Sequence, residues 1–177
     1  MVARDRGAEE YLFVDGYNII NSWDDLKELS ELSLEVAREE LIEIMSEYQH
    51  YSGIRVIIVF DAHMVKGQTG KEEEIKGVEV IYTKENQTAD QYIEEILDEI
   101  GRIKMVRVAT SDWMEQQIVL GRGGTRISAR ELEVEIFNQK RNIRRREDGK
   151  KARNDLFMGR LHEDVLQELN KWGKNDE

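Results

Sequence analysis

The sequence predicts an α/β protein, a parallel sheet flanked by helices and followed by a C-terminal helical extension. Three observations predict it. Short apolar runs at Tyr11–Val14, Arg55–Phe60 and Met105–Ala109 are separated by segments with helical spacing, the order of right-handed βαβ units. Each of these runs leads into a carboxylate, Asp15, Asp61 or Asp112, at the carboxyl end of a strand, where open α/β sheets present ligands. Beyond Leu156 an amphipathic pattern continues to Trp172, which reads as a closing helix.

The elements follow in order. Residues 1 to 10, MVARDRGAEE, form a charged tail without the apolar stretch of a signal peptide, and a cytoplasmic product is expected. After strand Tyr11–Val14 and the segment to Asn21, SWDDLKELSE reads as a polar connection. A helix opens near Ser33, with Leu34, Ala37, Leu41, Ile44 and Tyr48 on one face and Gly53 as its stop. Arg55–Phe60 is apolar after its first residue, as strands covered on both faces are. Ala62 to Lys76 reads as a polar loop. Its GQTGK string departs from a phosphate-binding loop, with Val65 at the first glycine position and Glu72 where Ser or Thr belongs. Strand Val78–Tyr82 follows, then a Thr88–Gln91 capping box and a helix with Ala89, Ile93, Ile96, Leu97 and Ile100 inward. Asp90 falls in its first turn, where the macrodipole favours an anion. After Asp112 a helix extends to about Leu120. Gly121, Gly123 and Gly124 make a turn, Thr125–Ile127 a short strand, and Ser128 to Glu131 a second capping box. The helix beginning there runs into a basic stretch and is expected to break at Asp148 and Gly149. Met158, Leu161, Val165, Leu169 and Trp172 share one side of the closing helix.

The 177 residues are 40% apolar and 36% charged, a composition that excludes wholesale disorder. No apolar run is long enough to cross a membrane. The absence of cysteine removes thiolate metal sites and cysteine nucleophiles, and the absence of proline leaves turns to Gly, Asn, Asp and Ser. A net charge of −11 argues against broad affinity for nucleic acid. The charge is unevenly spread, however: Lys140, Arg141, Arg144, Arg145, Arg146, Lys150, Lys151 and Arg153 face only Glu147 and Asp148 in the same stretch. That local excess is the charge distribution an RNA-binding segment would show.

If Asp15, Asp61, Asp90 and Asp112 converge, their mutual repulsion decides the chemistry. Two unit charges about 4 Å apart at an effective dielectric near 20 repel by roughly 4 kcal/mol. Four carboxylates therefore require cations among them, and hard divalent ions, Mg²⁺ or Mn²⁺, one or two in number, match oxygen ligands. Three scattered histidines supply no tetrahedral zinc set. Such ions support hydrolysis of phosphodiesters. Asn18 and Ser111 are accessory candidates that orient water or metal, or else satisfy turn backbone. Taken singly, each strand-end Asp also reads as a turn or cap residue. His63, two residues past Asp61, reads as a surface loop histidine.

With these segments in place the chain resembles the YacP-type group of the NYN branch of PIN-like nucleases. The strings that carry the resemblance are LFVDGYNII (12–20), VIIVFDAHMVKG (56–67), GVEVIYTKENQTADQYIE (77–94), VATSDWMEQ (108–116) and GRGGTRISARELEVEI (121–136), in the family's order. The resemblance implies a Rossmann-like sheet and a Mg²⁺- or Mn²⁺-dependent endoribonuclease site, with Asp15, Asp61, Asp90 and Asp112 as its acidic residues. By the same resemblance Asn18 belongs to the first motif, Gly121 to Ser128 shapes the substrate side, and the ribosome and translated mRNA are the partners. The implied organisation is a flexible tail at 1–10, an NYN domain at 11–146 and a basic, helical extension at 147–177. Single-stranded RNA is the expected substrate, with Tyr17, Trp23 or Trp113 available to stack on a base.

Two other readings compete. An aspartyl-phosphate phosphatase or receiver-like domain also puts Asp at strand ends, but Val14-Asp15-Gly16-Tyr17 lacks the second carboxylate such sites carry. A non-catalytic RNA- or ribosome-binding module is the third reading, against which all four acidic positions are filled.

Overall fold

The computed structural model describes residues 10–62, 70–100, 104–111 and 124–172; past position 154 it describes backbone alone, apart from Val165. Residues 1–9 of the expected tail, His63 with most of the GQTGK loop, the helix after Asp112, and Gly121 and Gly123 lie outside the described residues, while Glu10, expected in the tail, opens the first strand.

A six-stranded sheet organises the first compact unit, which ends at Ile136. Its strands are β1 (Glu10–Asp15), β2 (Arg55–Phe60), β3 (Glu72–Ile75), β4 (Val78–Tyr82), β5 (Met105–Ala109) and β6 (Thr125–Ile127), in the spatial order β3-β4-β2-β1-β5-β6. All pairs are parallel except β3 with β4. β1 thus lies between β2 and β5, with Asp15 opposite Val59 and Val14 opposite Ala109. The three strand ends expected to carry carboxylates are neighbours.

Alternation along the strands splits the core into two faces. Leu12, Val14, Val56, Ile58, Phe60, Val78, Val80 and Tyr82 face α1 (Gly16–Ser22), α2 (Asp24–Leu32), α3 (Leu34–Ser52) and the start of α5 (Ala129–Trp172). Tyr11, Phe13, Ile57, Val59, Ile81, Val106 and Val108 face α4 (Ala89–Ile100), through Ala89, Ile93, Ile96 and Leu97. Coverage on both faces explains why β1 and β2 read as continuous apolar runs. Ser33 caps α3, its hydroxyl accepting from the Val36 N–H at 3.4 Å, and Gly53 ends it. Both expected capping boxes are reciprocal. Thr88 N–H donates to Gln91 Oε1 at 3.1 Å and Gln91 N–H to Thr88 Oγ1 at 3.2 Å, while Ser128 and Glu131 exchange bonds of 2.8 and 3.2 Å.

Four features differ from the sequence expectation. GYNIINS is already helical, because the Asp15 side chain caps it at once. The polar connection is α2, which buries Leu26 and packs Leu29 partly against the core, a stripe at helical spacing within an otherwise charged segment. The polar loop contains β3, a charged edge strand joined to β4 through Lys76 and Gly77, at φ 52° and 85°, the two left-handed positions of a tight hairpin turn. Finally, α5 does not break at Asp148 and Gly149 but continues to Trp172. A glycine inside a helix costs about 1 kcal/mol, too little to stop a long run of Lys, Arg, Glu and Ala. The second compact unit begins at Phe137, within α5. In it Arg141, Arg144, Arg145, Arg146, Lys150 and Lys151 are exposed, Lys140 is half-buried, and Val165, expected on the apolar side, is 53% exposed.

Candidate active site

Asp15 is the last residue of β1 and the N-cap of α1, its Oδ1 accepting the Asn18 N–H at 3.1 Å. The strand and the cap together aim the carboxyl out of the sheet's C-terminal edge. There it hydrogen-bonds the carboxyl of Asp90, from the first turn of α4, and feels the charge of Asp61 at the end of β2. Burial, then the Asp90 charge and hydrogen bond, then Asp61 push the Asp15 pKa up to about 7, against the lowering effect of the Asn18 bond. Three of the four candidate carboxylates are thereby brought together. Asp112 lies outside the described residues.

The strand ends are tied to one another by neutral groups. Asn18 Oδ1 accepts the Ser111 N–H at 2.7 Å, linking α1 to the segment after β5. The Ser22 hydroxyl donates to the Asn18 carbonyl at 2.7 Å and lies 3.3 Å from Ser111 Oγ. Asn18 and Ser111 therefore hold the backbone that leads into Asp112. On the other side, buried Thr83 ties the residue after Asp61 to the loop before α4. Its hydroxyl accepts the Ala62 N–H at 3.0 Å and donates to the Gln87 carbonyl at 2.6 Å, and its N–H donates to the Phe60 carbonyl at 3.0 Å. Thr83 carried no sequence signal, since a threonine after a strand is ordinary.

Gly16 has a steric role here. A Cβ at this position would stand 2.3 Å from Phe60 Cε1, and Phe60 is fully buried immediately before Asp61. Only glycine lets α1 start this close to β2. Of the aromatic residues expected to stack on a base, Trp23 is buried, with Nε1 donating to the Ala129 carbonyl at 2.8 Å. It is a core residue, and Trp113 lies outside the described residues. Tyr17 is half-buried, its ring 5.1 Å from that of Phe60.

An all-carboxylate donor set with two carboxyl groups in contact suits a hard divalent cation, and the raised pKa of Asp15 records its burial first and the charges of Asp90 and Asp61 after it. Among the described residues no three acidic or histidine groups already stand at ligand spacing. An open cleft of about 420 Å³ lies between Lys84–Gln87 and the Gln91, Glu94 and Asp98 side of α4, and Asp15, Asp61 and Asp90 do not line it.

Known proteins are similar to this chain in sequence and fold. Residues 12–174 match the YacP-like NYN domain. A protein of Bacillus subtilis strain 168, described as uncharacterized protein YacP, is 46% identical over 170 residues, 94% of this chain and 98% of that protein. The crystal structure of Rae1 (YacP) from Bacillus subtilis is similar with a TM-score of 0.69 and 45% identity, covering 94% of this chain and 96% of that one. The crystal structure of a tryptophan-to-leucine mutant of Rae1 gives a TM-score of 0.66 and 47% identity over 77% of this chain and 80% of that one. The chain belongs to the YacP-like NYN domain family.

Proposed function

We propose that this protein is a metal-dependent endoribonuclease that hydrolyses phosphodiester bonds in single-stranded RNA, with mRNA on the ribosome as its substrate. The observation that carries the reading is the contact of Asp15 with Asp90, within range of the Asp61 charge, at the carboxyl ends of adjacent parallel strands. Asp15, Asp61, Asp90 and Asp112 are the residues that would hold Mg²⁺ or Mn²⁺. When bound, the cation supplies a lowered pKa for water and charge neutralisation at the phosphoryl oxygens. The chain's own groups do the rest. The aspartates orient the attacking water, and Asn18 keeps the Ser111 segment against α1. Asp15, its pKa raised to about 7 by burial and then by Asp90, is the carboxyl that would give up a proton on holding the cation. Hydrolysis by water leaves a 5′-phosphate and a 3′-hydroxyl, and recovery of a 2′,3′-cyclic phosphate would contradict the scheme.

The basic residues of α5, Lys140, Arg141, Arg144, Arg145, Arg146, Lys150 and Lys151, are the proposed RNA or ribosome contacts. A chain of net charge −11 binds free RNA weakly at physiological salt, and docking on a ribosome raises the local concentration of substrate. The test is cleavage of one end-labelled mRNA, free and on a translating ribosome, with Mg²⁺ or Mn²⁺, with chelator, and with Asp15→Asn and Asp90→Asn. Metal-dependent cutting lost in both variants is expected. Binding without cutting under every condition would instead favour a non-catalytic module.

A further inference from the structure

On the β4 side of the carboxylates, three aromatic rings stand in a row at the strand ends. Tyr17 tilts against Phe60 at 5.1 Å, and Phe60 stacks on Tyr82 at 5.7 Å, with an interplanar angle of 23°. Phe60 is buried and has no polar group to offer, but the two tyrosines bracket it and both meet the same cation. Arg38 of α3 donates from Nη1 to Tyr17 Oη at 3.2 Å and also hydrogen-bonds the Tyr82 hydroxyl. Tyr17 is two residues from Asp15 and feels the charges of both Arg38 and Asp61. The guanidinium therefore stands one side chain away from the carboxylate crevice, half-buried and held in place by neutral phenols.

Phenols position a guanidinium without cancelling its charge. An arginine has five N–H donors in a planar fork, more than two hydroxyls occupy, and that fork matches the oxygens of a phosphate. A crevice lined with aspartates repels an RNA backbone, so a fixed cation at its edge serves the phosphate beside the one being cut. We propose that Arg38, held by Tyr17 and Tyr82, is an RNA-binding residue that grips a backbone phosphate adjacent to the scissile linkage, without regard to base identity. This rests on the nuclease reading for its substrate, and it adds a contact on the opposite side of the crevice from Ser111.

The test separates the two ideas by measuring binding as well as cutting. A fluorescent single-stranded oligouridylate is titrated with the full-length Asp90→Asn protein, with and without Arg38→Gln, in Mg²⁺ at several salt concentrations. Loss of a charge-assisted bond weakens binding roughly ten- to a hundredfold. It also flattens the slope of log affinity against log salt by about 0.7, the value of one single-strand phosphate contact. Equal affinity and equal slope would overturn the proposal. Should Arg38→Gln fail to fold, Tyr17→Phe, which removes the hydroxyl that positions the guanidinium, is titrated in its place on the Asp90→Asn protein. Weaker binding is expected, and unchanged affinity refutes it. In the otherwise wild-type protein, Arg38→Gln should raise KM and leave kcat within a few fold. Unchanged KM with normal cutting sinks the phosphate site and keeps the nuclease, whereas Arg38-dependent binding in a protein that never cuts does the reverse.

Discussion

Replacing Asp90 with asparagine should change the stability of the metal-free protein in opposite directions at low and high pH. The Asp15 carboxyl is raised from 3.8 to about 7, by burial first and then by the Asp90 charge and hydrogen bond. A raised folded-state pKa contributes stability that is complete below 3.8 and is lost as pH rises through about 7. At pH 5, therefore, Asp15 is protonated and bonded to Asp90. Asparagine preserves a hydrogen-bonding partner there but removes the favourable anion from the first turn of α4, a cost of about 0.3–1 kcal/mol. At pH 8 both carboxyls of the wild type are charged. Relief of a repulsion of about 1–4 kcal/mol then outweighs the helix term. At roughly 2–4 °C per kcal/mol for a chain of this size, Asp90→Asn should melt about 2 °C or more above wild type at pH 8. It should melt level with or slightly below wild type at pH 5. Thermal melts in chelator at the two pH values give the comparison, and adding Mn²⁺ at pH 8 should raise the wild type more than the variant. A variant no more stable than wild type at pH 8 would mean that the two carboxyls do not meet, and the site geometry would fall with them.

The other predictions concern the scaffold. Gly16→Ala puts a methyl 2.3 Å from Phe60 Cε1, so an overpacking loss of about 1–3 kcal/mol is expected; an unchanged melting temperature would show that Phe60 yields freely. Asn18→Ala removes the acceptor of the Ser111 N–H. Stability should fall by only about 1 kcal/mol while kcat falls tenfold or more through displacement of the Asp112 segment, and undiminished cutting would dissociate Asn18 from catalysis. Glu135→Gln breaks the paired bonds to Arg107, 2.7 and 3.2 Å, and the bond from Tyr48 that together fix the start of α5 to the sheet. The Arg107 bond holds the Glu135 pKa below 4.5 despite partial burial, so its contribution is present above that value and lost as pH falls further. With solvent screening the gap in stability should be about 1 kcal/mol at pH 7 and close on acidification, and a gap constant down to pH 3 would refute the ion pair.

Much of the sheet was legible because burial on both faces leaves a plain mark: β2, β4 and β5 begin and end where apolar runs do. Capping boxes were equally legible, since their two bonds are local and depend on residues three apart. What stayed hidden depended on packing or on isolated side chains. α2 puts only Leu26 and Leu29 against the core, and this short stripe at helical spacing was overlooked among the charged residues around it. β3 reads EEEI because it is an edge strand, and charge on an edge discourages pairing with another chain. Its Lys76-Gly77 turn offered a glycine but not the left-handed lysine beside it. At the site, Asp15, Asp61 and Asp90 were readable as carboxylates following strands or opening a helix. Thr83 and Arg38 were not, because their roles exist only after β2, β4 and α3 are side by side.

The ties around the crevice share one chemical property. Asn18 uses an amide, and Thr83 and Ser22 use hydroxyls. A neutral tie fixes position without adding a counter-charge, so the protonation of the crevice follows from its carboxyls and their burial. The result is Asp15 near 7, raised first by burial in the assembled sheet edge and then by Asp90, which arrives from a helix far along the chain. A salt-bridged scaffold would have lowered that value and stabilised the empty site. Neutral positioning instead keeps the carboxyls in contact and electrostatically unsatisfied, which is the condition under which a divalent cation gains most by displacing their proton.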